Sequence, residues 1–388
     1  MLTVNNEKEL SLPRALGAEW LEVNNRGGYA SSTLLNCHSR RYHGLLVSRL
    51  SQPAGRYVLL SKFEDVVSWG NVREALSCHQ YPGTFFPADY SLLKAFTQDV
   101  CPSFVYQGAG ARVRKSILMP AAADSLLIRY DIEDCPAPGM LQLRPFLAFR
   151  DYHGLSRENH FLRQEATAVK NGVALRPYAG MPALVLQCNL RPQWQPEPLW
   201  YRNFEYAGEA ARGYPCHEDL FTPGVLRLPV RRGKTVIVYV SLAPFFGRLT
   251  RKWDEEVKRR RQAAREDEER AAVMISAPAK PPGGEDSGKG RANGCDVATE
   301  SLMAGVTAGV APVAAPDRNP AAAGVEEVAG GAAVEERELL RMLLQAGRRF
   351  LIRTPAGRPV IVAGYPWFGE WGRDTLISLP GLTFCCGR

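Results

Sequence analysis

Between Ala18 and Pro244 the chain alternates short apolar runs with clusters of turn residues. Leu45–Val47, Tyr57–Leu60, Val113–Met119, Ser125–Tyr130, Met140–Phe149, Ala183–Cys188 and Lys234–Val240 are each short. Many of them alternate apolar with polar side chains, and Gly, Pro, Asn and Asp fill the gaps. Many short strands with few helical periods predict a large all-β sandwich over residues 1–248. The aromatic segments Tyr152–Ser156, Trp194, Trp200–Tyr206 and Asp219–Gly224 read as loops packed on that sandwich.

After Phe246 the pattern changes twice. Leu249 to about Met274 reads as a charged helix in which Trp253 and Val257 share a face. Ser276–Val334 is rich in Ala, Gly and Pro and lacks aromatics, so it cannot bury a core and is expected to be a flexible linker, giving a connecting region over 249–334. Helical periodicity returns at Glu335–Thr354. Leu339, Leu343, Ala346 and Phe350 form a stripe widened by Leu340, Leu344 and Leu351, with acidic residues at the start and Arg348-Arg349 toward the end, as the helix dipole favours.

Candidate chemistry concentrates beyond that helix. Ala363–Thr383 sets Tyr365, Trp367, Phe368, Glu370, Trp371, Arg373 and Asp374 among glycines, and then turns into an apolar helical pattern. Flat aromatic faces beside a carboxylate and a guanidinium suit a sugar, whose rings offer C–H faces and hydroxyl edges. Two earlier segments are dense in special residues. Asn24–Ser32 is a Gly-rich turn without the Lys-Ser/Thr ending of a phosphate cradle, and Arg40-Arg-Tyr-His43 leads directly into a strand. Either braces the sandwich or forms a face on which another domain or a substrate rests.

Composition narrows the class. With 388 residues, 45 % hydrophobic and 23 % charged, the chain has the make-up of a soluble globular protein of two or three domains. The N-terminus shows no secretory signal and no run reaches membrane-spanning length, so a cytoplasmic enzyme without membrane contact is expected. The net charge of +8 raises nucleic acid as a partner. Much of the basic density, however, lies in the alternating charges of Arg251–Arg270, a pattern of solvated helix faces, and nucleic-acid binding is not expected. Nine cysteines without a CxxC and six unclustered histidines argue for free thiols, with no metal and no cofactor. Cys216-His-Glu-Asp219 is the nearest approach to a ligand set and reads as a polar surface loop.

Glu19-Trp20, Asn25–Thr33, Arg40–Val47, Leu59–Lys62, Ala363–Thr375 and Leu379–Leu382 together resemble the bacterial and archaeal type of glycogen debranching enzyme, the amylo-α-1,6-glucosidases. The resemblance implies an N-terminal β-sandwich followed by the first helices of an (α/α)6 toroid over 335–388, truncated, that hydrolyses α-1,6-linked glucose at branch points with glycogen or a branched α-glucan as partner. By analogy with related glucoamylase-type toroids, Arg373 and Asp374 are expected to grip the terminal glucose, with Trp367 and Trp371 as the wall. Asp374 also suits the N-cap of a helix beginning near Thr375. Hydrolysis needs an acid and, in an inverting enzyme, a base across the ring. Glu370 and Asp374 are not expected to be that pair, and both catalytic carboxylates are expected beyond Arg388. The alternatives are a non-catalytic glucan-binding module and a purely structural protein; oligomeric state is not indicated.

Overall fold

The computed structural model describes residues 2–4, 10–87, 91–276, 325–354 and 357–384. The chain divides into two compact units, Met1–Lys258 with Thr354–Ala356, and Arg259–Arg353 with Gly357–Arg388.

The first unit is a sandwich of two antiparallel sheets. One sheet orders its strands Leu2–Val4, Leu93–Gln98, Pro102–Gln107, Arg112–Leu118, Ser125–Asp134, Thr235–Ser241, Leu184–Cys188, Gly172–Leu175 and Ala166–Val169. The other runs Gln193–Glu205, His217–Val230, Gly139–Asp151, Ala54–Trp69, Gly44–Ser51, Tyr29–Thr33 and Glu19–Val23, with Val72–Ala75 beside Ala54–Trp69. Period-two alternation builds the layers. In Ser125–Asp134, Leu126, Ile128, Tyr130 and Ile132 enter the core between the sheets, as do Val236, Val238 and Val240 of the paired strand. The opposite faces, through Leu118, Leu127, Ile237 and Tyr239, hold a second cluster with Leu249 and Trp253. The charged Leu249–Ser276 helix therefore begins on the outside of the sheet, with Val257 packed beside the same cluster.

Three sequence expectations need correction. Gln193–Glu205 is a strand, not a set of aromatic loops; it lies at a sheet edge, where Pro196 and Pro198 are tolerated, and its register shifts between Pro196 and Leu199. Asp219–Gly224 likewise belongs to the His217–Val230 strand. The Cys216–Asp219 segment is not a surface loop, because Glu218 is fully buried and Asp219 nearly so.

In the second unit, helix Val325–Phe350 begins ten residues, about three turns, before the expected Glu335, inside the stretch read as linker. The linker expectation for residues 277–324 lies outside the described residues. Arg348 donates to the buried Asp267 at 2.7 Å, joining this helix to the Leu249–Ser276 helix. A small sheet of Leu351–Arg353, Pro359–Gly364 and Phe368–Glu370 follows, and then helix Gly372–Leu379 with a wider π turn over Pro380–Phe384. Among the described residues no helix is long and apolar enough to cross a membrane.

Candidate functional site

Backbone pairing of Val362 with Glu370 and of Gly364 with Phe368 closes a hairpin whose turn carries Trp367, half-buried, and from which Phe368 emerges exposed. Trp371 precedes the Gly372–Leu379 helix and occupies its N-cap position without a side-chain cap. The Thr375 N–H donates to the Trp371 carbonyl at 2.9 Å, so the helix starts before Thr375. Asp374 is therefore a first-turn residue and not the cap. Its carboxylate still faces the positive end of the helix, where a negative charge is favoured.

Around this helix start the structure gathers Trp371, Arg373 and Asp374, while Trp367 stays on the preceding hairpin turn. Trp371 meets Phe368 edge-on with centroids 6.1 Å apart, which makes Phe368 a wall residue that the sequence argument left out. Arg373 is largely exposed, and its Nε lies 3.9 Å from Asp374 Oδ2. That oxygen is buried and accepts no hydrogen bond from the described residues. A carboxylate oxygen without such a partner, beside an exposed guanidinium, can take a hydroxyl pair, one as donor and one as acceptor. Glu370 is differently placed: Arg358 Nη2 donates to its Oε2 at 3.3 Å across the small sheet.

The sandwich carries its own dense polar cluster behind Arg40-Arg-Tyr-His43. Arg150 forks onto both oxygens of Glu218, with Nη2 at 3.0 Å from Oε2. Tyr206 Oη also donates to Oε2, and Ser156 donates to Oε1 from both its backbone N and its Oγ at 2.9 Å. Burial works against the Arg150 charge, yet Glu218 and Tyr206 outweigh it and raise its pKa. The same guanidinium donates to the Arg41 carbonyl at 2.6 Å. Arg41 in turn reaches the His153 carbonyl at 3.0 Å and Glu209 at 3.1 Å, and Tyr42 Oη lies 3.1 Å from His153 Nδ1.

Beside it, Arg40 Nε donates to Glu19 Oε1 at 2.6 Å, and His43 Nε2 lies 3.3 Å from that oxygen. Burial would raise the Glu19 pKa, but His43 and Arg40 together bring it down to about 2. The Asn24–Gly28 turn is a brace. Asn24 Oδ1 accepts from Arg26 and Gly28 N–H at 2.9 Å, while its Nδ2 donates to Ala123 O and Asp124 Oδ1 at 3.1 Å. A side chain at Gly28 would meet Val47 O at 2.9 Å, so the close approach requires glycine. Glu218 reads from sequence as part of a surface loop, and Arg150 carries no local sign of its role; the alternation of Leu220, Leu226 and Leu228 after Glu218 was the available sign of a strand.

Residues 18–237 match the family model described as glycogen debranching enzyme N terminal, and residues 345–388 match that of amylo-alpha-1,6-glucosidase. A search of curated proteins finds no match. Among solved structures, a bacterial glucoamylase complexed with acarbose aligns at 9 % identity and TM-score 0.30, over 58 % of this chain and 32 % of that one. A heparan sulfate lyase mutant from Pedobacter heparinus aligns at 16 % identity and TM-score 0.25, over 39 % and 22 %. A polysaccharide lyase aligns at 12 % identity and TM-score 0.24, over 62 % and 34 %. The chain thus spans about a third of the length of that glucoamylase.

Proposed function

The chain belongs to the glycogen debranching enzyme family, a family of glycoside hydrolases, and we propose that it serves the hydrolysis of α-1,6-linked glucose at the branch points of glycogen or a related α-glucan. The observation that carries this reading is the pair of family matches in one chain, the second of which includes the Trp371-Gly-Arg-Asp374 helix start.

In this reading Trp371 and Trp367 offer ring faces to the glucose, Arg373 donates to its hydroxyls, and the unfilled Oδ2 of Asp374 accepts from one. Glycoside cleavage also needs a carboxylic acid at the leaving oxygen and, for inversion, a carboxylate that activates water on the other face. Glu370 is held by Arg358, and Asp374 sits in the grip. We therefore assign the acid and base to residues beyond Arg388, on later helices of an (α/α)6 toroid. Leu376 and Ile377, together with Leu339, Met342 and Leu343 of the Val325–Phe350 helix, expose apolar side chains, which supports helices of that kind as their cover.

Residues 1–388 are expected to be retarded by glycogen in affinity electrophoresis and to release no glucose from a branched limit dextrin. Trp371→Ala and Asp374→Asn should each weaken retention about tenfold, the loss of one stacking or charge-assisted contact. Retention unchanged in both variants would remove the proposed grip, and glucose release by residues 1–388 would overturn the placement of the acid and base.

A further inference from the structure

The Cys216-His217 pair opens the His217–Val230 strand and takes no part in the proposed sugar grip. Strand register sets Glu205 directly opposite His217, where cross-strand side chains meet. Glu205 Oε2 lies 3.4 Å from His217 Nε2, and its Oε1 accepts from Gln80 Nε2 at 2.8 Å. On the other side of the ring, His217 Nδ1 lies 3.8 Å from Cys216 Sγ. These contacts fix the proton positions. An ionised carboxylate can only accept, so the neutral imidazole carries its hydrogen on Nε2, and Nδ1 is left to accept from the thiol.

The thiol is also within reach of a small molecule. Cys216 is half-buried, as is Cys135, whereas Cys37, Cys78, Cys101 and Cys188 are buried. The Cys216 carbonyl accepts from the Tyr206 N–H at 2.8 Å, and the Pro215 carbonyl before it accepts from Arg41 Nη2 at 3.2 Å, so the backbone that carries the thiol is held. Two residues upstream, the exposed Tyr214 ring meets two guanidiniums, Arg41 at 5.7 Å and Arg212 at 5.4 Å from its centroid. Both pair with one buried carboxylate, Glu209, at 3.1 and 3.0 Å, and the Arg212 side chain is 41 % exposed. Two guanidiniums that share one carboxylate keep positive charge for an anionic ligand.

We propose that Cys216 is a thiol–disulfide exchange site for a small anionic disulfide, with His217 as the base that takes the thiol proton and Glu205 as the group that holds the ring. The thiol proton passes to His217 Nδ1, and the imidazolium so formed is balanced by the Glu205 carboxylate. The Cys216 thiolate attacks one sulfur of the disulfide; the new S–S bond forms as the old one breaks. The departing thiolate takes the proton from His217 and leaves as a thiol. Cys216 is oxidised to a mixed disulfide, and the departing half of the disulfide is reduced. A base contributes here because a free thiol is only a few per cent ionised at neutral pH, so complete ionisation is worth up to roughly thirtyfold in rate.

The test incubates the full chain with oxidised glutathione at neutral pH, blocks the remaining thiols with a maleimide and maps the adducts by peptide mass spectrometry over time. A mixed disulfide on Cys216, removed by dithiothreitol and formed about tenfold faster than on Cys135, is expected. That ratio needs no variant, so a folding defect does not decide the question. His217→Asn should slow capping of Cys216 about tenfold at neutral pH and regain the wild-type rate near pH 9.5, where thiols ionise unaided. Glu205→Gln should slow it about threefold, because the ring loses its orienting partner. Relative to their rates with free cysteine, oxidised glutathione should outpace neutral hydroxyethyl disulfide, and the advantage should fade at about 1 M salt. Capping of Cys216 no faster than of Cys135, a His217→Asn loss that is the same at both pH values, or equal relative rates for the two disulfides would each overturn the proposal.

Discussion

Replacing Glu218 with Gln should be among the most damaging single changes in the sandwich, although it alters one atom and keeps the side chain's shape. The carboxylate is fully buried and accepts from Arg150 Nε and Nη2, Tyr206 Oη, and the N and Oγ of Ser156. An amide cannot neutralise the buried guanidinium, and it turns one accepting oxygen into a donor that faces other donors. Removing one partner of a buried ion pair leaves an uncompensated charge at a cost of about 3–5 kcal/mol. That is a large share of the roughly 5–15 kcal/mol by which domains are stable. The variant should therefore lose that amount in urea unfolding followed by near-ultraviolet circular dichroism, with the m-value unchanged.

A double-mutant cycle tests the cause. Arg150→Met alone leaves Glu218 as the uncompensated charge, whereas Arg150→Met with Glu218→Gln leaves no buried charge. The double variant should then be clearly more stable than the sum of the two losses predicts, with a coupling of about 2 kcal/mol or more. Additive losses, or a Glu218→Gln effect below about 1 kcal/mol, would refute the view that this pair is a desolvated charge network.

Glu19→Gln tests the neighbouring contact by pH. Because the folded pKa of Glu19 is depressed from 4.5 to about 2, its contribution is present above pH 4.5 and is lost as pH falls toward 2. Glu19 is partly exposed, so solvent screens the pair and its contribution at neutral pH should be about 1 kcal/mol; the gap between wild type and variant in urea midpoint should narrow steadily below pH 4.5, and a gap independent of pH would refute the assignment. Gly172→Ala probes a close backbone approach: an added Cβ would sit 1.9 Å from Leu186 O, so the Gly172–Leu175 strand should pull away from Leu184–Cys188. A loss of about 1–3 kcal/mol, with hydrogen exchange accelerated at Val173 and Leu186, is expected, and unchanged exchange would count against it.

Parts of the sandwich were legible because their strands are short apolar, β-branched-rich runs between turn residues, as Ser125–Asp134 and Thr235–Ser241 are. Strands that break that pattern were lost for physical reasons. Gln193–Glu205 carries two prolines, which read locally as a break in a strand but which its edge position tolerates. His217–Val230 opens with His-Glu-Asp, which reads as surface because charges are rarely buried unpaired; the compensating Arg150 lies 68 residues away, and local pattern carries no trace of it. Helix Val325–Phe350 was placed too late because an Ala/Gly-rich start has no apolar stripe from which to read a period.

The same distinction between local and distant partners explains the two candidate sites. Trp371, Arg373 and Asp374 fall within one helix turn, so their adjacency follows from spacing alone, and only the choice of cap residue needed the structure. Arg40-Arg-Tyr-His43 was visible as a dense segment, but the partners that hold its arginines are remote: Glu19, His153, Glu209 and, through the Arg41 carbonyl, Arg150. Arg40 and Arg41 are tied by their own contacts, so neither has a free guanidinium to offer a sugar as Arg373 does. The geometry therefore favours bracing for the motif itself and leaves the helix start at Trp371 as the stronger candidate for gripping a glucose.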